Sequence, residues 1–168
     1  MGMAIQPLGE GSDRKSFRCG VADLDDWFHR RAGQDQRRNI AKIFVAIDDT
    51  LGIVGFYSLS SFTLELDVVP DRIASKLPRY NLVPAALIGR LARDERVRGR
   101  GVGELLLADA IVRILGASQT LAVFAIVVDA KDDSASKFYQ GFGFQPLPLH
   151  PNRLFLLTSS AQAAAERV

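Results

Sequence analysis

The alternation of hydrophobic and polar residues along the chain predicts helices and strands in turn. Helical spacing of apolar residues, or acidic residues at the start, predicts helices over residues 21–38, 71–77, 102–115 and 133–140. Runs rich in β-branched and aromatic residues predict strands over residues 42–47, 52–68, 84–91, 121–128, 142–147 and 153–158. We expect the second of these strands to bend or break near Ser60 and Ser61.

This order of elements predicts one mixed α/β domain over residues 1–168, since no linker divides the chain. The strand over 121–128 is apolar without interruption, which is typical of a strand covered on both faces. The helix over 102–115 is expected to be mostly buried, with apolar residues around it: Leu105, Leu106, Ala110, Val112 and Ile114. The Ala- and Ser-rich tail 159–168 predicts either a short helix or a frayed end.

Composition narrows the class of protein further. The chain has 168 residues, of which 48% are hydrophobic and 24% charged, as in an average globular domain. The single cysteine, Cys19, excludes a disulfide framework, and two histidines leave little for a metal site, so we expect no metal. No apolar run approaches the ~20 residues of a membrane span, and no signal peptide is evident, so we expect a cytoplasmic protein without a membrane partner.

The most informative motif is the glycine loop, residues 96–103, which reads Arg-Val-Arg-Gly-Arg-Gly-Val-Gly between a predicted strand and a predicted helix. Such a turn directs backbone N–H groups and the positive end of a helix dipole at one spot, which suits a phosphate or pyrophosphate. A P-loop is excluded because Glu104 follows Gly103, and a dinucleotide fingerprint lacks its sixth-position glycine or alanine. A turn without a ligand is the alternative, and three arginines among the glycines argue against it.

Arg98, Gly101 and Gly103 have the spacing of the Arg/Gln-x-x-Gly-x-Gly/Ala motif, and here the chain resembles the GNAT N-acetyltransferases. Residues 129–144 resemble the GNAT segment that ends Phe-Tyr-x-x-x-Gly-Phe. The resemblance implies a GNAT fold, with a mixed, mostly antiparallel sheet flanked by helices, and acetyl-CoA as co-substrate. The implied cofactor-binding residues are Leu91, Ala92, Arg93, Val97, Arg98, Gly99, Arg100, Gly101, Val102, Gly103, Asp129, Ser134, Ala135 and Phe138.

The resemblance also implies that Tyr139 is catalytic and lies near the acetyl-CoA sulfur. A thiol has a pKa of ~8.5 and a phenol ~10, so a tyrosine can donate a proton as the thiolate departs. A core tyrosine is the alternative, because phenylalanines crowd the same stretch. No general base is evident: Asp94 or Glu95 could relay a proton through water, or an α-amine of pKa ~8 needs no base.

The N-terminal half of the sequence narrows the range of molecules that could accept the acetyl group. Residues 17–35, with Cys19-Gly20, Leu24-Asp25 and Trp27-Phe28, resemble the signature of GNAT toxins from bacterial toxin–antitoxin pairs. That likeness implies acetylation of the α-amine of aminoacyl-tRNA, which blocks translation, a homodimer, and an antitoxin, often of ribbon-helix-helix type. A GNAT enzyme acting on a small amine or a protein N-terminus is the alternative, and a non-catalytic acetyl-CoA-binding module is a second one.

Charge alone does not indicate nucleic acid, because the net charge is only +2. Basic residues are clustered, however, and we expect the clusters to bind tRNA phosphates. A solvated helix face paired with nearby carboxylates is the alternative. The candidates are Arg30, Arg31, Arg37, Arg38, Lys42, Arg72, Lys76, Arg79 and Arg90. The aminoacyl specificity is expected to depend on a pocket lined by Phe56, Tyr57 and Phe62.

Overall fold

The computed structural model describes residues 2–77 and 80–167, and these residues form seven β-strands and six α-helices. The strands are β1 (Met3–Pro7), β2 (Lys42–Asp48), β3 (Gly52–Glu65), β4 (Leu82–Arg93), β5 (Ala125–Asp129), β6 (Gln145–Leu147) and β7 (His150–Leu157). The helices are α1 (Ala22–Arg30), α2 (Ala32–Arg37), α3 (Asp71–Ala74), α4 (Val102–Ala117), α5 (Asp133–Gln140) and α6 (Thr158–Glu166). Short 3₁₀ turns lie at Leu66–Val68 and Glu95–Val97.

The chain forms two compact units, and β3, β4 and α4 each contribute residues to both. The first unit comprises the residues up to Ser60 together with Gly89–Ala110. Its strands follow the order β1-β2-β3-β4, and β2 is antiparallel to both β1 and β3. The backbone N–H of Arg90 on β4 donates to Ser58 Oγ on β3 at 3.0 Å.

Aromatic side chains fill the core of the first unit. Phe28 from α1 and Phe56 from β3 stack with their ring centroids 4.2 Å apart. Phe17 meets both rings edge-on, at 5.0 and 5.3 Å, and all three side chains are fully buried. Such pairs add to the stability gained from burial alone. The core therefore fixes the N-terminal segment and α1 against β3.

The second unit comprises Ser61–Ile88 together with the residues from Ile111 onward. Its strands follow the order β3-β4-β5-β7-β6, in which β4 and β5 are parallel and β7 is antiparallel to β5 and β6. Residues 125–128 of β5 are all buried, as the unbroken apolar run predicts. The prediction of a mixed, mostly antiparallel sheet with flanking helices is confirmed.

Several element boundaries differ from the prediction. Residues 21–38 form two helices rather than one, since α1 ends at Arg30, α2 begins at Ala32, and Arg31 between them has φ of −116°. Strand β3 continues unbroken through Ser60 and Ser61. Strand β1 was not predicted, since it is a short, largely exposed strand without an apolar run. Leu105 and Val112 of α4 are 45% and 66% exposed, so their predicted burial is wrong.

The C-terminal tail forms α6, so the helical alternative for this segment is the one observed. Within residues 2–77 and 80–167 no helix has both the length and the apolar character required to cross a membrane. A single domain over residues 1–168 stays a prediction.

Candidate functional site

The glycine loop lies in the first unit, between β4 and α4, and buried valines hold both ends. Val97, near the start of the loop, is fully buried, and Val102, near its end, is 2% exposed. Gly99 and Gly101 have φ of +79° and +75°, in the left-handed region that favours glycine. The first turn of α4 leaves backbone N–H groups without partners inside the helix. The loop therefore offers donors and a helix dipole to an anion, as predicted.

Asp94 anchors the start of the glycine loop. Its side chain is 1% exposed and accepts hydrogen bonds from the backbone N–H of Arg18 at 3.0 Å and of Arg96 at 2.9 Å. The Arg96 guanidinium adds two more bonds, at 2.8 and 2.9 Å. Burial alone would raise the pKa of Asp94, but these hydrogen bonds outweigh it and hold the pKa below its usual range. A buried carboxylate so fully engaged is a structural anchor, which argues against a proton relay through Asp94.

The arginines of the glycine loop differ in their engagement. Arg96 is held by Asp94, and the guanidinium of Arg100 lies 3.8 Å from the carboxylate of Asp48. All three arginines, Arg98 included, are exposed. On the preceding strand Ala92 is buried in the aromatic core, whereas Leu91 and Arg93 on either side are partly exposed.

Gly55 on β3 lets α4 approach the sheet. A Cβ atom at this position would lie 2.8 Å from Leu106 Cδ1 and 3.2 Å from Val102 Cγ1. The first contact is closer than real Cβ atoms show and the second is tighter than most, so a side chain here would push against the helix that begins at the glycine loop. Glycine at this position therefore fixes where the N-terminus of α4 lies.

The remaining cofactor candidates lie in the second unit, where β5 leads into α5. Asp129, at the end of β5, receives two hydrogen bonds from Arg153, from Nε at 2.7 Å and Nη2 at 2.9 Å. Asp132 caps α5 by accepting from the backbone N–H of Ala135 at 2.8 Å. Ser134 in the first turn of α5 is exposed. Sequence reasoning missed Arg153, whose partner is 24 residues away.

Tyr139 is 6% exposed and packs between two phenylalanines of the second unit. The ring centroids of Phe138 and Phe144 lie 5.4 and 5.8 Å from its own. Burial, and then the negative charge of Asp129, raise the pKa of Tyr139 to about 12. The phenol is thus both a packed core residue and a protonated donor at neutral pH.

The N-terminal signature holds the first unit together. Asp25 accepts from the backbone N–H of Cys19 at 2.9 Å, and Gly20 has φ of +93°. Trp27 Nε1 donates to Asp35 at 2.9 Å. The residues of this pattern thus form turns and helix contacts of the fold.

The predicted tRNA-binding residues of the first unit lie on or beside α1, α2, β2 and β4. The Arg90 guanidinium lies 4.0 Å from the ring centroid of Trp27. Burial lowers the pKa of Arg90, with opposing effects from the nearby charges of Asp35 and Arg31. Arg30 forms a surface pair with Asp26 at 3.2 Å. The other members of this set are exposed: Arg31, Arg37, Arg38 and Lys42.

In the second unit, Arg72 and Lys76 are exposed, and Arg72 donates to Gln145 Oε1 at 2.5 Å. Arg79 lies outside the described residues.

The expected aminoacyl pocket needs correction, because Phe56 and Tyr57 are fully buried and Tyr57 donates to Asp109 at 2.5 Å. Across the described part of the chain no group of three or more His, Cys, Asp or Glu residues is placed to hold a metal.

Comparison with known proteins adds to this geometry. Residues 39–146 match the model of a family described as an acetyltransferase (GNAT) domain. A tRNA-acetylating toxin of Mycobacterium tuberculosis is 36% identical over 160 residues, covering 95% of each chain. A probable toxin TacT of Sinorhizobium fredii is 32% identical over 161 residues, covering 90% of this chain and 89% of its own. The structure of AtaT complexed with acetyl-methionyl-tRNAfMet has a TM-score of 0.90 at 26% identity, covering 98% of this chain and 99% of that one.

Proposed function

Because the chain belongs to the GNAT acetyltransferase family, we propose that it is a toxin that transfers the acetyl group of acetyl-CoA to the α-amine of an aminoacyl-tRNA. The observation that carries this proposal is the likeness, over nearly the whole chain, to a relative named as a tRNA-acetylating toxin. The resemblance found in the glycine loop and the N-terminal segment is thereby confirmed. An acetylated α-amine cannot attack the next ester in elongation, so the product stops translation.

Acetyl-CoA fits the donor half of the proposed site. The glycine loop presents N–H groups and a helix dipole to a pyrophosphate, and Arg98 adds an exposed cation. Leu91, Ala92 and Arg93 precede the loop on β4, where a pantetheine arm pairs with the strand in this family. We assign the cofactor-binding role to these residues and to Asp129, Ser134, Ala135 and Phe138 of the second unit.

The chemistry needs a proton donor for the leaving group. The acceptor amine attacks the thioester carbonyl and a C–N bond forms as the C–S bond breaks. The CoA thiolate leaves and takes up a proton, and the amide nitrogen loses one proton to solvent. Tyr139 is protonated at neutral pH, as a phenol is at its usual pKa of ~10, and burial, then Asp129, raise its pKa further, to about 12. It therefore suits the role of the acid that protonates the departing sulfur.

A translation-blocking toxin must be held in check, so we propose a cognate antitoxin of ribbon-helix-helix type that covers the acceptor side. We also propose that the toxin is a homodimer and acts in the cytoplasm, where charged tRNA is found. The antitoxin is supported by a structural neighbour, a mutant AtaT toxin bound to the C-terminus of the antitoxin AtaR.

The test is transfer of radiolabelled acetyl from acetyl-CoA to a pool of charged tRNAs, with uncharged tRNA and free amino acids as controls. We expect label on charged tRNA alone. Tyr139→Phe should bind acetyl-CoA normally and lose about 100-fold or more in transfer rate, the usual worth of a positioned acid. Tyr80→Phe, at a residue that is 61% exposed, is the matched control and should behave as wild type.

Two results would contradict the proposal. Label on small amines or protein N-termini, with none on charged tRNA, would indicate that the acceptor is a small amine or a protein and not a tRNA. Acetyl-CoA binding without transfer to any acceptor would indicate a non-catalytic module. A fully active Tyr139→Phe variant would overturn the role of the phenol and leave the acceptor assignment standing.

A further inference from the structure

A small cavity in the first unit is lined by two arginine side chains from different segments. It measures about 150 Å³ and lies between the loop after β1 and helix α2. Arg14 from the loop and Arg37 from α2 both converge on Gly33. A Cβ atom at Gly33 would lie 2.8 Å from Arg14 Nη1 and 3.3 Å from Arg37 Nη1. We call this cavity the arginine pocket.

The two positive charges of the arginine pocket have no compensating anion among residues 2–77 and 80–167. Neither Arg14 nor Arg37 forms an ion pair in this part of the chain. Glu10 lines the pocket but is exposed and pairs with neither. Gln36 is already engaged, with Nε2 donating to Leu8 O at 2.8 Å and Oε1 accepting from Ile43 N–H at 3.0 Å. Burial and the neighbouring Arg37 charge both lower the pKa of Arg14, as expected for two unneutralised cations side by side.

Gly33 gives a second, independent indication. Glycine inside a helix costs about 1 kcal/mol relative to alanine. No positive φ requires a glycine at position 33, and the close contacts of a Cβ there would be with the two guanidinium groups. The space next to the Gly33 Cα is therefore occupied by the guanidinium groups of Arg14 and Arg37, which lie close together there. An anion bound between them would offset the cost of that arrangement.

We propose that the arginine pocket binds a backbone phosphate of the acceptor tRNA, an inference that rests on the proposed function. Guanidinium forks match phosphate oxygens in pairs, which gives both charge and geometry. The pocket is small and Arg37 is exposed, so it suits a phosphate on a polymer that passes over the surface. Exposed basic residues continue from it along the same unit at Arg31, Arg38 and Lys42.

The test is binding of charged tRNA to Tyr139→Phe protein, which does not consume its ligand, at several salt concentrations. We expect Arg14→Ala and Arg37→Ala each to weaken binding about tenfold, the range for losing a charged hydrogen bond. Each should also reduce the slope of log affinity against log salt by about 0.7 to 0.9, the value for one phosphate contact. Lys15→Ala removes the same charge from the neighbouring exposed residue and should leave the slope unchanged.

Gly33→Ala separates geometry from charge. It keeps both arginines but displaces the Arg14 guanidinium, so it should weaken tRNA binding about as much as Arg14→Ala. Its folded state should be as stable as wild type or more so, because alanine favours the helix. Wild-type affinity in Gly33→Ala, Arg14→Ala and Arg37→Ala would overturn the proposal.

Kinetics distinguish failure of this inference from failure of the proposed function. If wild type acetylates charged tRNA, the pocket variants should raise KM for tRNA and leave transfer to a 3′-aminoacyl nucleoside unchanged. Equal loss with both acceptors would indicate damage to the fold and would overturn the pocket. If wild type acetylates no tRNA, the proposed function fails, and absence of RNA binding would overturn the pocket as well. Inorganic phosphate could instead raise the unfolding midpoint only when Arg14 is present, while substitution of the arginines leaves tRNA binding unchanged. That result would indicate that the pocket binds a free anion and would overturn the proposal.

Discussion

Replacing Asp94 with alanine tests how the first unit holds its glycine loop. The substitution removes a buried carboxylate that accepts two backbone hydrogen bonds, from Arg18 at 3.0 Å and Arg96 at 2.9 Å, and two from the Arg96 side chain. These bonds join the N-terminal segment to the first turn after β4. Their loss should loosen the loop and weaken acetyl-CoA binding together with stability.

The size of the effect follows from what each donor loses. A part-buried backbone N–H left without a partner costs about 1–3 kcal/mol, and two such groups are exposed by the substitution. The Arg96 side chain is 38% exposed, so water replaces the carboxylate there and the ion pair adds little. We expect the free energy of unfolding to fall by about 3 kcal/mol, which a typical domain survives.

Urea unfolding at neutral pH measures this loss. Asp26→Ala is the matched control, because its partner Arg30 is 79% exposed and such surface pairs are worth less than about 1 kcal/mol. A free energy of unfolding for Asp94→Ala within about 0.5 kcal/mol of wild type, the range of ordinary surface substitutions, would refute the anchor.

The same anchor has a pH signature. The pKa of Asp94 is lowered in the folded protein, so its stabilisation is fully present above the unfolded value of about 3.9. It is lost as the pH falls through the lower, folded-state pKa. The difference in unfolding free energy between wild type and Asp94→Asn should therefore be constant near neutral pH and shrink in acid. A difference that grows in acid would contradict the assigned direction.

Two further predictions follow from the packing. Gly55→Ala should destabilise the protein by about 1–3 kcal/mol, because its Cβ would meet Leu106 Cδ1 at 2.8 Å. Gly116→Ala, in open space on α4, should stabilise it by about 0.5–1 kcal/mol. In thermal unfolding, a raised midpoint for Gly55→Ala would contradict the first prediction, and a lowered midpoint for Gly116→Ala would contradict the second. The pKa of Tyr139 is raised to about 12, so the rate of transfer to an amide-linked aminoacyl acceptor should not fall as the pH passes the usual phenol pKa of ~10. A fall in rate centred near that pH would show that the phenol titrates as it does in water.

The parts of the site that local sequence determines were predictable. The glycine loop depends on neighbouring residues, and Tyr139 belongs to a contiguous motif. Sequence reasoning offered Asp94 as one candidate for a proton relay and did not reveal its hydrogen bond to Arg18, because Arg18 lies 76 residues away in the chain. Arg14 was missed for a similar reason, since the residues that give it a role are on α2.

Patterns of apolar residues were weaker guides to exposure. The helix over 102–115 is apolar almost all round, so its composition does not distinguish the buried Leu106 from the exposed Leu105. Phe56 and Tyr57 were expected in an open pocket, but aromatic residues in a central strand have the largest apolar area to bury and lie in the core. Burial is decided by the face of the element that meets its neighbours, which only tertiary structure specifies.

The N-terminal signature and the glycine loop are connected by hydrogen bonds. Arg18 donates its backbone N–H to Asp94, and its carbonyl accepts from the N–H of Glu95 at 2.8 Å. The adjacent Phe17 is fully buried against the rings of Phe28 and Phe56. The signature thus sets the base of the glycine loop through the same core that holds α1. Its residues do this by packing and by hydrogen bonds to the backbone.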